Sequence, residues 1–360
     1  MKNDTLWYTR CPVPTATSIA INSGALEEAF APLGVKIQSL RASTERGMRE
    51  AHFDHKTPSL FRHGGSIPPM WTRARGGDTA VIALSWVNEY QAILALPGSG
   101  IREVKDLRGK RLGLPVRTND QIDFFRAMSL HGYHHGLSTA GLTLDDVKLV
   151  ELPIVENYIG GDAASQRGTL WGGASRARRQ KAEMFAIVRG EIDAFYASGS
   201  MGAYLGAMLG AQEVIEFGFC DDPMKRVGNE SPATVTVDRA LIRDDPELVQ
   251  RFLAEIMRAA EWAKSHPAEC AQIVGRETGA LEEWVVPAYG ADFHERFQIG
   301  LHEPWIRALE VQKDFMLKHG FIGPDFSVRD WIDPRPLEAA RAALARESRN
   351  AETPVAVGAG

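Results

Sequence analysis

Three side chains in the first fifth of the sequence have the types and settings that chemistry needs. Cys11 lies in Tyr8-Thr9-Arg10-Cys11-Pro12-Val13-Pro14, where an apolar run that reads as the first strand gives way to a helix. α/β folds hold ligands at the C-terminal ends of such strands, and a cysteine there can serve as nucleophile or proton donor. If the helix begins near Pro12–Pro14, its free N–H groups and dipole lower the thiol pKa. Proline is tolerated in a helix's first turn, since its missing donor is not needed there. Position alone leaves a buried structural cysteine as an equal alternative.

The second cluster is His52-Phe53-Asp54-His55-Lys56-Thr57-Pro58-Ser59-Leu60-Phe61-Arg62-His63-Gly64-Gly65-Ser66-Ile67-Pro68-Pro69-Met70. It reads as a long, turn-rich loop, a kind often functional and mobile. Gly64 and Gly65 permit positive φ or a close approach of backbone to ligand, and their N–H groups could form an anion nest. Arg62 could hold an oxyanion through two parallel hydrogen bonds. His52 could orient or deprotonate the thiol. The spacing of His52, His55 and His63 fits no metal signature, and His131, His134 and His135 read as exposed at a helix end. Arg176, Arg178, Arg179 and Lys181 read as a solvated helix face. No P-loop, dinucleotide fingerprint or GxSxG is present.

Elements must hold these groups in place. Short apolar strands alternate with helical stretches, which indicates α/β architecture with mostly parallel sheets. Strands are expected at 6–9, 35–40, 80–84 and 91–96, a helix over 16–30, and long amphipathic helices at 246–265 and 301–318. The stretch from Pro97 to Leu114 and the run Arg189–Tyr196 resemble elements of type-2 periplasmic binding proteins of the nitrate/sulfonate/taurine group. That resemblance implies a two-lobed fold with a cleft between the lobes. Residues 1–96 and 216–360 form the first lobe and 97–215 the second, with 350–360 a frayed tail. Cys11 would then stand at the rim of the cleft.

The bulk properties fit. The 360 residues suffice for two well-filled lobes, and a net charge of −5 gives no reason to expect nucleic acid or an anionic membrane as partner. No basic segment followed by an apolar core and a cleavage site opens the chain, so a cytoplasmic location is expected. The three cysteines, Cys11, Cys220 and Cys270, suggest neither a disulfide framework nor structural zinc, and the latter two read as structural.

Taken together, the two clusters resemble the 2'-hydroxybiphenyl-2-sulfinate desulfinases of dibenzothiophene desulfurisation. The Cys-Pro-Val-Pro motif of that family is present as Cys11–Pro14. Its His-Phe is present as His52-Phe53, and the arginine ten residues on, just before Gly-Gly-x-Ile-Pro-Pro, as Arg62 and Gly64–Pro69. The resemblance implies a cofactor-independent hydrolase releasing sulfite from an aromatic sulfinate. It assigns catalysis to Cys11, His52 and Arg62, and substrate binding to Phe53, Arg62, Gly64 and Gly65. It implies no metal, a small aromatic anion as partner, and action as a monomer. The sequence departs from the family in the second lobe, where Asp193-Ala194-Phe195-Tyr196-Ala197-Ser198-Gly199-Ser200-Met201 carries mostly small residues in place of bulky tryptophans. His63 likewise replaces an aromatic. The reacting group is thereby expected to be shared while the rest of the substrate differs. The alternative from another class is a sulfonate- or aromatic-anion-binding protein of an uptake system, with Cys11 incidental.

Overall fold

Two sheets divide the chain. The computed structural model describes residues 4–157, 159 and 181–352. The first sheet contains β1 (Thr5–Arg10), β2 (Lys36–Ser39), β3 (Leu60–Gly64), β4 (Thr79–Ser85), β10 (Ala233–Asp238) and β11 (Ile299–Gly300), in the order β11-β4-β10-β3-β1-β2. The second contains β5 (Gln91–Ala95), β6 (Arg111–Arg117), β7 (Lys148–Ile154), β8 (Ala194–Ser198) and β9 (Gln212–Glu216), in the order β7-β6-β8-β5-β9. In the first sheet β1 runs parallel to β2 and β3, while β10 pairs antiparallel with β3 and β4. Every residue of β4 is buried, as its continuous apolar sequence requires of a strand covered on both faces.

Sheet membership moves the boundary between the lobes. β5 was expected in the first lobe, but it pairs with β8 and β9, so the outward crossing is the short segment 86–90. The return crossing is 217–232, between β9 and β10.

The segment 52–70 is also more regular than its sequence suggests. It holds the end of α3 (Arg46–Asp54), all of β3, and the start of α4 (Ile67–Ala74). β3 lies between β1 and β10 with all five residues buried, although two of them are Arg62 and His63. The charge is tolerated because both side chains are hydrogen-bonded. His63 Nδ1 meets Thr17 Oγ1 at 2.8 Å and its Nε2 meets Ser85 Oγ at 2.9 Å.

Helices cover both faces. The stretch expected as one helix over 16–30 is split into α1 (Ala16–Asn22) and α2 (Ala25–Phe30) by Gly24, whose φ of 82° breaks the run. The amphipathic helix Pro246–Ala263 buries Leu248, Phe252, Ile256, Ala259 and Ala263 as one stripe, and Phe252 stacks on Phe61 of β3 at 3.9 Å between ring centres. The helix Glu303–Lys318 touches both lobes. Its Leu309 and Met316 pack with Met70 of α4, while Phe315 stacks on His131 of α5 (Phe124–Ser138) at 4.0 Å. That contact corrects the expectation of exposed histidines: His131 and His135 are buried under this helix, and only His134 faces solvent. The C-terminal helix Arg335–Glu352 runs three residues into the expected tail. Arg176, Arg178, Arg179 and the tail beyond 352 lie outside the described residues. Among the described residues no helix is long and apolar enough to cross a membrane.

Candidate active site

β1 and β3 are neighbours in register, with Arg10 opposite His63, so the end of β1 delivers Cys11 directly beside the Gly64-Gly65 turn that follows β3. The Cys11 amide donates to the His63 carbonyl at 3.2 Å and continues the ladder. The α1 helix starts later than its prolines suggest. Its cap is Thr15, whose hydroxyl accepts from the Ser18 amide, and its first residue is Ala16. Cys11 therefore stands off the helix end, and the dipole is not what acts on the thiol.

Three other groups do. Cys11 Sγ accepts from the Gly65 amide at 3.3 Å and from Arg62 Nη2 at 3.5 Å, and lies 3.8 Å from His52 Nε2. His52, near the end of α3, is held through Nδ1 by Thr9 Oγ1 at 2.8 Å. Sequence reading expected these groups together, and the fold converges all of them on one sulfur atom. The thiol is nonetheless not acidified. Burial, reinforced by the charge of Glu230, pushes Cys11 up to about 12 against the opposing pull of Arg62 and the Gly65 amide. Cys11 is thus a protonated thiol at neutral pH.

Arg62 differs in role from the expected oxyanion fork. It is 1% exposed, and its donors are committed inward. Nε donates to the His52 carbonyl at 2.9 Å and Nη1 to the Gly65 carbonyl at 2.8 Å, leaving Nη2 for sulfur. It ties the end of α3 to the glycine turn and sets a positive charge directly behind Sγ. An anion brought to the thiol meets that charge without bidentate contact.

The glycines answer to close approach. A Cβ on Gly64, whose φ is +155°, would stand 2.5 Å from Cys11 Sγ, and one on Gly65 would stand 2.2 Å from Asn229 Nδ2. Asn229 holds this turn: its carbonyl accepts from the Ser66 amide at 2.6 Å and its Oδ1 from the Ile67 amide at 2.9 Å. The histidines of this region form no metal set. His63 is tied to two hydroxyls, and no cluster of three metal-ligating side chains exists among the described residues. Cys270 is buried in its helix, while Cys220 sits half-buried in a turn of the return crossing.

A cavity opens over the thiol between the lobes. Cys11, His52 and Phe53 line one end, and Phe53 reaches across to Phe124 of the second lobe, 5.9 Å between ring centres. Arg62, Gly64 and Gly65 lie behind this wall and do not line it. The small residues Ser198–Met201 line the second-lobe side. Glu89 and Glu230, which sequence reading missed, complete the lining with Asn229 and Tyr289. One sits on each crossing segment. Glu89 in Asn88-Glu89-Tyr90 and Glu230 in Asn229-Glu230-Ser231 look like ordinary turn acids, and only the fold reveals that they meet.

Two α/β lobes, two crossings and a ligand-sized cavity between them define the class: this is the type-2 periplasmic-binding-protein fold. The E. coli periplasmic aliphatic sulphonate binding protein superposes with a TM-score of 0.65 at 15% identity, covering 92% of each chain. The particular resemblance is to the desulfinase, as the motifs implied. The chain is 25% identical to 2'-hydroxybiphenyl-2-sulfinate desulfinase of Rhodococcus erythropolis over 350 residues, 92% of each protein. The relative of that name from Rhodococcus qingshengii matches to the same extent. The crystal structure of the desulfurization enzyme DszB, as a cysteine-to-serine variant with biphenyl-2-sulfinic acid, matches with a TM-score of 0.74 at 24% identity, covering 95% of this chain and 99% of that one. No family model matches the chain.

Proposed function

We propose that this protein is a desulfinase, a hydrolase that cleaves the C–S bond of an aromatic sulfinate and releases sulfite, with Cys11 as its catalytic group. The observation that carries the reading is the convergence of Gly65 N–H, Arg62 Nη2 and His52 Nε2 on a buried thiol that faces a ligand-sized cavity. A solute-binding protein has no use for such an arrangement.

Of two roles for the thiol, its protonated state supports proton donation. Cys11 S–H gives its proton to the ring carbon bearing sulfur, the C–S electron pair returns to the ring, and sulfur dioxide leaves. Water then converts sulfur dioxide to hydrogen sulfite and a proton. The net change is sulfinate plus water to arene plus hydrogen sulfite. The thiolate left behind is stabilised by the Gly65 amide and the Arg62 charge already in contact with it. His52 Nε2 faces the sulfur and is the group placed to return its proton.

Action as a monomer in the cytoplasm belongs to the same proposal, and three free thiols are compatible with a reducing setting. The test is sulfite release from a panel of aryl sulfinates. Cys11→Ser should lower turnover by at least about a thousandfold while calorimetry still detects ligand binding. Retained sulfite release in that variant would sink the reading.

A further inference from the structure

The cavity has a second polar end that the reaction does not use. Glu89, on the outward crossing, is 4% exposed, and among the described residues no hydrogen bond reaches its carboxyl. Glu230, on the return crossing, receives one hydrogen bond at Oε1, from Asn229 Nδ2 at 2.7 Å, and its Oε2 is buried without a partner. Three carboxyl oxygens therefore lack protein donors, and one of them, Glu230 Oε2, is fully buried. Leaving buried acceptors unpaired is costly, and such groups persist where a ligand supplies the missing donors.

The surrounding residues leave room for one. Gly199, at φ +61°, lies under Glu89, where a Cβ would stand 3.6 Å from Glu89 Oε2 and 3.3 Å from the Tyr289 hydroxyl. The neighbouring Ser198 and Ser200 are small, so the space above the two acids is open to the cavity. The same stretch is where the sequence departs from the bulky residues of the desulfinase family. Arg62 is spent inward and offers these acids no hydrogen bond.

We propose that Glu89 and Glu230 form a subsite for a protonated amine, so that the substrate is an aryl sulfinate that also carries an ammonium group. An ammonium presents three N–H donors, matching the three uncovered carboxyl oxygens. Its positive charge suits two neighbouring acids of like charge. Without that ligand, burial holds both carboxyls above the usual range, Glu230 up to about 7 against the pull of Arg62 and Asn229, and Glu89 is raised further by the charge of Glu230. Cys11, Glu89 and Glu230 line the same cavity, so one molecule held there faces both ends. The substrate is zwitterionic: sulfinate at the thiol, ammonium at the crossings.

The inference rests on the desulfinase reading for the Cys11 end only, and two measurements separate them. The first is kcat/KM for sulfite release from 3-(aminomethyl)benzenesulfinate and from its neutral 3-(hydroxymethyl) counterpart. The second is calorimetric binding of the two corresponding sulfonates. Wild-type protein should prefer the amine by at least about tenfold in both, the scale of a charge-assisted hydrogen-bond set. Glu89→Gln and Glu230→Gln should each reduce that ratio to within about threefold. Sulfite release without an amine preference, or a preference that survives both substitutions, overturns the subsite and leaves the reaction standing. An amine preference in binding with no sulfite from any sulfinate upholds the subsite and overturns the desulfinase reading.

Discussion

The two ends of the cavity are built on opposite principles. At the thiol end the side chains that set the site already have partners: Arg62 spans two carbonyls and the sulfur, His52 is held by Thr9, and His63 lies between Thr17 and Ser85. At the crossing end, among the described residues, the two carboxyls have one hydrogen bond between them, from Asn229. The contrast separates reaction from recognition. Groups that stabilise a developing charge work best when fixed beforehand, because no reorganisation is then needed at the moment of reaction. Groups that select a ligand gain from being incomplete until it arrives.

The largest effect should come from disturbing the pre-set end. Arg62→Lys cannot span two carbonyls and still reach sulfur, so kcat for sulfite release should fall about a hundredfold or more. A variant with wild-type kcat would show that the inward bonds are not what the chemistry needs.

Acid should unsettle the same end. Burial, aided by the neighbouring Arg62 charge, holds His63 down to about 3, against about 6.5 in an unfolded chain. Its folded pKa is depressed, so the unfolded chain binds the proton first. His63 contributes its full stability above pH 6.5 and loses it progressively toward pH 3. Denaturation midpoints taken from pH 7 to pH 4 should show stability falling by up to about 1.4 kcal/mol per pH unit for this residue. His63→Gln should flatten that part of the slope, and an unchanged slope would mean that the thiol end is not held by neutral histidine.

Gly65→Ala tests the seam between the ends. Its methyl group would enter the space of Asn229, so we expect a loss of about 1–3 kcal/mol in chemical denaturation and about tenfold in kcat. Wild-type stability would imply that Asn229 moves freely.

The smallest expected effect crosses from the acids to the thiol. Removing the negative charge in Glu230→Gln lowers the Cys11 pKa, because that charge opposes the thiolate. Iodoacetamide should alkylate Cys11 a few-fold faster in the variant at pH 8–9, where Glu230 is ionised. An equal or slower rate would break the electrostatic link between the ends.

The thiol end was legible in the sequence because its residue types are rare and its spacings short. Cys11, His52 and the Gly64-Gly65 pair each bear a local signature, and adjacent parallel strands bring them together. What the sequence obscured was how they are used. The prolines at 12 and 14 imitate a helix start, whereas the cap is Thr15. Arg62 in a polar stretch reads as a solvent-facing clamp, yet its place on an inner strand turns it inward. β5 was assigned to the wrong lobe because alternation and apolarity mark a strand without saying which sheet it joins. The acids were invisible for a further reason. Glutamates are common in turns, and Glu89 and Glu230 meet only because two distant crossings run side by side.

Asn229 has a consequence for how such a protein can change. Its backbone carbonyl and side-chain oxygen position the turn whose amide touches the sulfur, while its side-chain nitrogen holds Glu230. Selectivity and turnover are therefore not separate modules that mutation can trade one at a time. A substitution that reshapes the crossing end shifts Asn229 and, through it, the Gly65 amide, so double variants across the cavity should be non-additive. A lineage adopting a new substrate on this scaffold would have to keep Asn229 and alter what surrounds it, or rebuild both ends together.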